Sequence, residues 1–222
     1  MRVRIKVCGI TRAEDATAAV EAGADAIGLN FVDESPRRLR DDRAEQVAAA
    51  IPPFVARVGV FANAPVDRVR LLAAGLHLDA AQLHGEESPE ECARMPVPWY
   101  KAHRVAGDFD PVILAAYGRP IFLLDAAGSQ RGGTGLTFDW SVARRCATYG
   151  RVILAGGLTP ENVGEAIAAA RPYAVDVNSG VETAPGIKDR GRLRLFCERV
   201  AEASALLAEA SVLRFDRSRE GR

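Results

Sequence analysis

The sequence predicts a single α/β domain, a closed (β/α)8 or TIM barrel, and three observations lead there. Short apolar runs alternate with helix-like segments along nearly the whole chain. Helix start and stop signals fall between those runs, and no glycine fingerprint follows the first strand. Such alternation implies parallel strands joined by crossover helices. A repeat of roughly 25 residues fits the compact end of the barrel size range. The alternative fold, an open doubly wound sheet, usually carries Gly-x-Gly-x-x-Gly in its first turn, where this chain has Gly9 alone in CGITRAED.

Eight runs read as strands: RIKVCG, DAIGLNF, FVARVGVF, LDAAQLH, WYKAHRV, IFLLD, RVILAG and YAVDVNS. In the first, Val3, Ile5 and Val7 share one face, so Arg4, Lys6 and Cys8 share the other. The apolar face packs on helices, which turns Lys6 and Cys8 into the barrel mouth. Thr11 and Glu14 have capping-box spacing, and Gly23 is a helix stop. The second strand runs into a loop with Ser35, Pro36 and Arg37, and Gly75 marks the end of the helix after the third. The fourth strand ends at Gln82 and His84, on one face. A second capping box, Ser88 with Glu91, follows, with Pro89 at the first helical position. Asp110–Pro111 and Gly118 bracket the next helix. In the sixth strand Ile121, Leu123 and Asp125 line up, and SQRGGTG, with Gly133, comes after. Beyond Gly150 the seventh strand ends in Gly156 and Gly157, and Thr159–Pro160 opens a helix. The eighth ends in Asp176, Asn178, Ser179 and Gly180. The last stretch, SVLRFDRSREGR, loses its apolar period. The barrel is therefore expected over residues 1–205 and a frayed, charged tail over 206–222.

Lys plus Arg and Asp plus Glu each count 29, so no basic surplus draws the chain to nucleic acid or an acidic membrane. A small neutral or anionic ligand fits better. Cys8, Cys92, Cys146 and Cys197 lie far apart, without a C-x-x-C pair or a histidine at metal-ligand spacing. They read as reduced thiols of a cytoplasmic protein with no metal. The N-terminal MRVRIKVCGI interleaves basic and apolar residues, unlike a signal peptide, and no apolar stretch approaches bilayer length.

Barrels place their chemistry at the C-terminal ends of the strands. An inward lysine needs a partner, and Asp176 on the last strand, adjacent to the first after closure, is the candidate for Lys6. The pair either serves the site or only fills the barrel. The glycine turns AGGL and NSGV, after the seventh and eighth strands, suit a phosphate, although each alone is also an ordinary tight turn. The GGTG after the sixth strand has the composition of a lid. Read singly, Cys8 is a small buried hydrophobe, Asp125 a loop or cap residue, and Arg37 a solvated cation.

Seven blocks in order resemble the phosphoribosylanthranilate isomerase family: KVCGIT, SPR, VGVF, LDAAQLHGEE, LLDAAGSQRGGTG with FDW, LAGGLTPENV, and VDVNSGVE with PGIKD. The resemblance covers nearly all of the chain before the tail. It implies an Amadori rearrangement of N-(5-phosphoribosyl)anthranilate in tryptophan biosynthesis, with Cys8 as base, Asp125 as acid and no cofactor. It also implies that Arg37 binds the anthranilate carboxylate. Gln82, His84, Gly133, Gly156, Gly157, Asp176, Ser179 and Gly180 complete the expected substrate site, in a monomer or homodimer. The base role asks Lys6 and the helix opening at Thr11 to favour the Cys8 thiolate. The acid role asks burial to keep Asp125 protonated in part. Two departures are Asn30 before Phe31, where the family is apolar, and NSG where two serines are common. The competing readings are a Schiff-base aldolase using Lys6, Lys101 or Lys188, a metal-dependent epimerase using His77, His84 or His103, and a barrel that binds a phosphorylated ligand without turnover.

Overall fold

The computed structural model describes residues 2–106, 109–118, 120–126 and 140–220. Eight parallel strands, β1 (Arg4–Val7), β2 (Ala26–Asn30), β3 (Ala56–Phe61), β4 (Ala80–Leu83), β5 (Trp99–Val105), β6 (Ile121–Ala126), β7 (Arg151–Ala155) and β8 (Ala174–Val177), pair in sequence order. The barrel closes where β8 returns to β1, with Lys6 opposite Asp176. Seven of the eight fall within the runs expected to be strands, and β6 extends one residue past its run, to Ala126. Helices α1 (Ala13–Ala22), α2 (Asp41–Ala49), α3 (Val66–Leu76), α4 (Pro89–Ala93), α5 (Ile113–Ala116), α6 (Ser141–Cys146), α7 (Val163–Ala170) and α8 (Arg190–Glu220) alternate with them. Between β8 and α8 lie a 3-10 turn (Ser179–Val181) and a small hairpin, β9 (Glu182–Ala184) with β10 (Ile187–Lys188).

Strand periodicity sorts the side chains into two cores. Odd positions of β1 and their equivalents, including Ile5, Ile27, Leu29, Phe61, Leu83, Leu124 and Leu154, pack outward against the helices. Val58, Tyr100, Ala102, Leu123, Ile153 and Ala174 fill the interior. Arg4 and Arg151 stack their guanidinium groups over the Tyr173 ring, at 4.6 and 4.9 Å from its centre. The interior is thus packed, and a cavity opens toward the C-terminal ends of the strands.

Local signals succeeded where no tertiary contact competed for the capping group. Ser88 and Glu91 form the expected reciprocal capping box. Gly23 ends α1 in a left-handed conformation, at φ 107°. Thr11 does not cap α1: its hydroxyl donates to the Gly186 carbonyl at 2.7 Å, and the N-cap is Arg12. Gly75 lies inside α3, whose left-handed cap is His77. Thr159 accepts from the Glu161 N–H, and α7 begins later, at Val163. Helix α8 continues through Glu220, past the boundary expected at residue 205. No helix among the described residues is long and apolar enough to cross a membrane.

Candidate active site

A cavity of about 440 Å³ opens at the C-terminal ends of the strands. Its wall includes Cys8 from β1, Gln82 and His84 from the end of β4, Asp125 from β6 and Asp176 from β8. Gly156, Gly157 and Ser179 line it from the following loops. The alternation of side chains explains this convergence, because each strand sends every second residue inward and closure brings the last inward positions to one mouth. Two expected residues are not part of the lining: Gly180 packs against the Leu158 carbonyl, and Arg37 is ion-paired with Glu182. Gly133 and the GGTG stretch fall outside the described residues.

Lys6 donates to both oxygens of Asp176, at 3.0 and 2.9 Å, and both side chains are buried. Burial alone would lower the Lys6 pKa, but the carboxylate of Asp176 more than reverses this, and Lys6 stays protonated. The same burial raises Asp176 against the pull of Lys6. With contact this close in both directions, the charged pair is the state that the geometry supports. Asp176 reaches the cavity wall, whereas Lys6 is not part of the lining.

Cys8 corrects one expectation. Lys6 does pull its pKa down, as anticipated, yet burial outweighs that pull and the thiol sits above its ordinary value. Desolvation of a thiolate at a buried strand end costs more than Lys6, itself shared with Asp176, and Lys188 together return. The helix expected at Thr11 opens at Ala13 instead. Asp125 is also less enclosed than IFLLDAA suggested, with a side chain 31% exposed. His84 Nε2 lies 3.3 Å from Asp125 Oδ2, close enough for an ion pair if protonated, but not aligned as a hydrogen bond. On the ring's other side, Nδ1 is 3.4 Å from Gln82 Nε2, and Gln82 Oε1 accepts from the Tyr100 hydroxyl at 3.0 Å. A chain of side chains from Tyr100 through Gln82 to His84 therefore leads to the carboxyl.

The two glycine turns meet. Gly156 and Gly157 have φ of 88° and 64°, a conformation that favours glycine. A Cβ on Gly180 would lie 1.9 Å from the Leu158 carbonyl oxygen, so the turn after β8 passes directly over the turn after β7. Sequence reasoning left Leu158, Asn178, Val60 and Leu123 without a site role, although all four line the cavity. Strand parity could have found Val60, Leu123 and Asn178. Asn30, noted as a departure, also lines the cavity, and its amide donates to Ser35 Oγ at 3.0 Å while its carbonyl accepts from the Val32 N–H at 2.9 Å. It ties the end of β2 to the loop that carries Arg37.

A family model described as N-(5'-phosphoribosyl)anthranilate (PRA) isomerase matches residues 5–199. The chain is 49% identical over 200 residues to the N-(5'-phosphoribosyl)anthranilate isomerase of Geobacter metallireducens, covering 89% of this chain and 98% of that protein. The crystal structure of phosphoribosyl anthranilate isomerase from Thermotoga maritima superposes with a TM-score of 0.83 at 42% identity, over 89% of this chain and 98% of that one. A phosphoribosyl anthranilate isomerase in complex with reduced 1-(o-carboxyphenylamino)-1-deoxyribulose 5-phosphate matches with a TM-score of 0.80 at 40% identity, over 89% and 98% of the two chains.

Proposed function

The chain belongs to the phosphoribosylanthranilate isomerase family, and on that basis we propose that Cys8 is the general base and Asp125 the general acid of its reaction. The protein is an isomerase of tryptophan biosynthesis that acts on N-(5-phosphoribosyl)anthranilate. The observation that carries the assignment is that Cys8 and Asp125 open onto one cavity from different strands, with the glycine turns at its edge.

The acid protonates the furanose ring oxygen, the C1–O bond breaks, and the nitrogen lone pair forms a C1=N iminium. The Cys8 thiolate removes the C2 proton, and that electron pair forms a C1=C2 enolamine with neutral nitrogen. Transfer of the C2 hydroxyl proton to solvent and of a proton to C1 gives the ketone, 1-(2-carboxyphenylamino)-1-deoxyribulose 5-phosphate. Asp125 has then lost one proton and Cys8 gained one, and exchange with water restores both. His84 beside Asp125 is suited to hold the carboxyl in place. The backbone N–H groups of the turns at Gly156–Gly157 and Ser179–Gly180 suit the phosphate. Arg37, on the loop after β2, is suited to the anthranilate carboxylate, a group that guanidinium binds well. The complex of a relative with a reduced product supports a phosphorylated small-molecule substrate here. Its partners are this small molecule and, for a homodimer, a second copy; a Thermotoga maritima relative has been solved as monomers generated from a dimeric phosphoribosylanthranilate isomerase. Four free, buried cysteines suit the reducing cytoplasm.

The test is conversion of freshly made substrate by the wild type, Cys8→Ala and Asp125→Asn. Each variant is expected to bind substrate and lose kcat by about a hundredfold to ten-thousandfold. A variant that keeps wild-type turnover removes its residue from the mechanism.

A further inference from the structure

Beside Asn178 in the cavity wall lies a charged cluster to which the proposed mechanism gives no part beyond Arg37. Glu182, at the start of β9, has a side chain only 4% exposed; that of Lys188 in β10 is 0% exposed, and that of Arg37 20%. Arg37 grips the Glu182 carboxylate with one guanidinium edge. Its Nε is 3.0 Å from both oxygens, and its Nη2 is 2.7 Å from Oε2. Lys188 donates to the same carboxylate at 2.8 Å, and to Asn178 at its carbonyl (3.2 Å) and Oδ1 (3.0 Å). The Gly186 N–H adds a further contact to Glu182 at 3.2 Å. This cluster presses on the strand end that bears Cys8: a Cβ on Gly9 would fall 2.6 Å from Asn178 Oδ1 and 2.9 Å from Arg37 Cδ.

Arg37 and Lys188 share one carboxylate here, which leaves one positive charge in excess when both are protonated; burial lowers the Lys188 pKa against the pull of Glu182. The neighbouring Asp15 does not neutralise it, because its side chain is paired with Arg12 at 2.7 Å. A largely buried excess charge is costly unless a counter-ion completes it. The substrate brings such a counter-ion in its aryl carboxylate. Glu182 occupies the Nε–Nη2 edge of Arg37, so the edge that remains for a ligand is the one carrying Nη1.

Building on the reading of Arg37 as the carboxylate ligand, we infer that Glu182, anchored by Lys188, is a positioning residue for substrate selection: it fixes which guanidinium edge Arg37 offers. It touches no substrate itself. An arginine already held in its bound orientation loses less side-chain freedom when the ligand arrives. Burial raises the Glu182 pKa, but Arg37 and Lys188 bring it below the usual carboxylate value, so the Glu182 carboxylate stays ionised at neutral pH.

The experiment compares two substrates, N-(5-phosphoribosyl)anthranilate and its aniline analogue without the carboxylate, in the wild type, Arg37→Ala, Glu182→Gln and the double variant. For Glu182→Gln, KM for the carboxylated substrate is expected to rise about tenfold while kcat stays within about threefold. KM for the aniline analogue should barely move. The double variant should be no worse than Arg37→Ala, since both changes remove one interaction. Equal losses on both substrates, or additive losses in the double variant, overturn the positioning role. If Arg37→Ala fails to discriminate between the substrates, the carboxylate reading of Arg37 falls, and the inference with it. If Arg37→Ala discriminates and Glu182→Gln does not, only the inference falls. Should Glu182→Gln not fold, Lys188→Met is read the same way: a loss confined to the carboxylated substrate supports the role, and an equal loss overturns it.

Discussion

A thiol base beside a carboxyl acid imposes a particular pH dependence. The competent enzyme carries a Cys8 thiolate and a protonated Asp125 together. Between the two pKa values, raising the pH adds thiolate as fast as it removes the carboxyl proton, so kcat/KM is flat. Above the Cys8 pKa no more thiolate is gained while the acid continues to be lost, and the rate falls. Because burial pushes the Cys8 thiol up, the alkaline limb of kcat/KM is expected above the ordinary thiol value of about 8.5. A limb at or below that value, measured for the free enzyme, would show that Lys6 has overcome desolvation. The role of Lys6 was partly legible in the sequence, because parity turned it inward and closure put Asp176 opposite. The balance between its pull and burial was not, since solvent access to Cys8 depends on all eight strands.

At the level of elements, the β7 and β8 turns act as one unit. Gly180 has no room for a side chain because the Leu158 carbonyl lies against it, and a carbonyl in a packed turn cannot swing aside as a side-chain tip can. Gly180→Ala is expected to cost about 1–3 kcal/mol of stability by overpacking. It should also raise KM and weaken competitive inhibition by inorganic phosphate, since the two turns would separate. Unchanged phosphate inhibition in a folded Gly180→Ala variant would remove these turns from the phosphate site. Both turns were identifiable from their glycines and their places after consecutive strands. Their mutual contact was not, because it joins residues of different strand ends.

For the whole molecule, closure depends on helix α8 as well as on the sheet. Leu193, Phe196, Val200 and Ala203 are buried, and Ser204 accepts from the Val3 N–H at 3.1 Å while donating to the Val200 carbonyl at 2.7 Å. These contacts hold the start of β1, and hence the strand that carries Lys6 and Cys8. We propose that the catalytic domain ends near residue 205 and that the charged residues beyond it add nothing to turnover. A chain ending at Ala210 is expected to keep kcat/KM within about twofold of the full length, with little change in Tm. A large loss in either would extend the domain through the end of α8.

The sequence by itself determined the barrel, because strand and helix periods, and glycines at particular strand ends, are local properties that a single chain displays. It also determined that Cys8, Gln82, His84 and Asp125 lie on inward faces that open onto one cavity, since alternation along a strand is local. Tertiary structure alone decided that Thr11 binds Gly186 instead of capping α1, that the Glu182 carboxylate joins Arg37 to Lys188, and that desolvation governs Cys8. The physical reason is the same in each case. Residues distant in sequence compete for one hydrogen-bonding group or one volume of solvent, and only the closed fold brings them together.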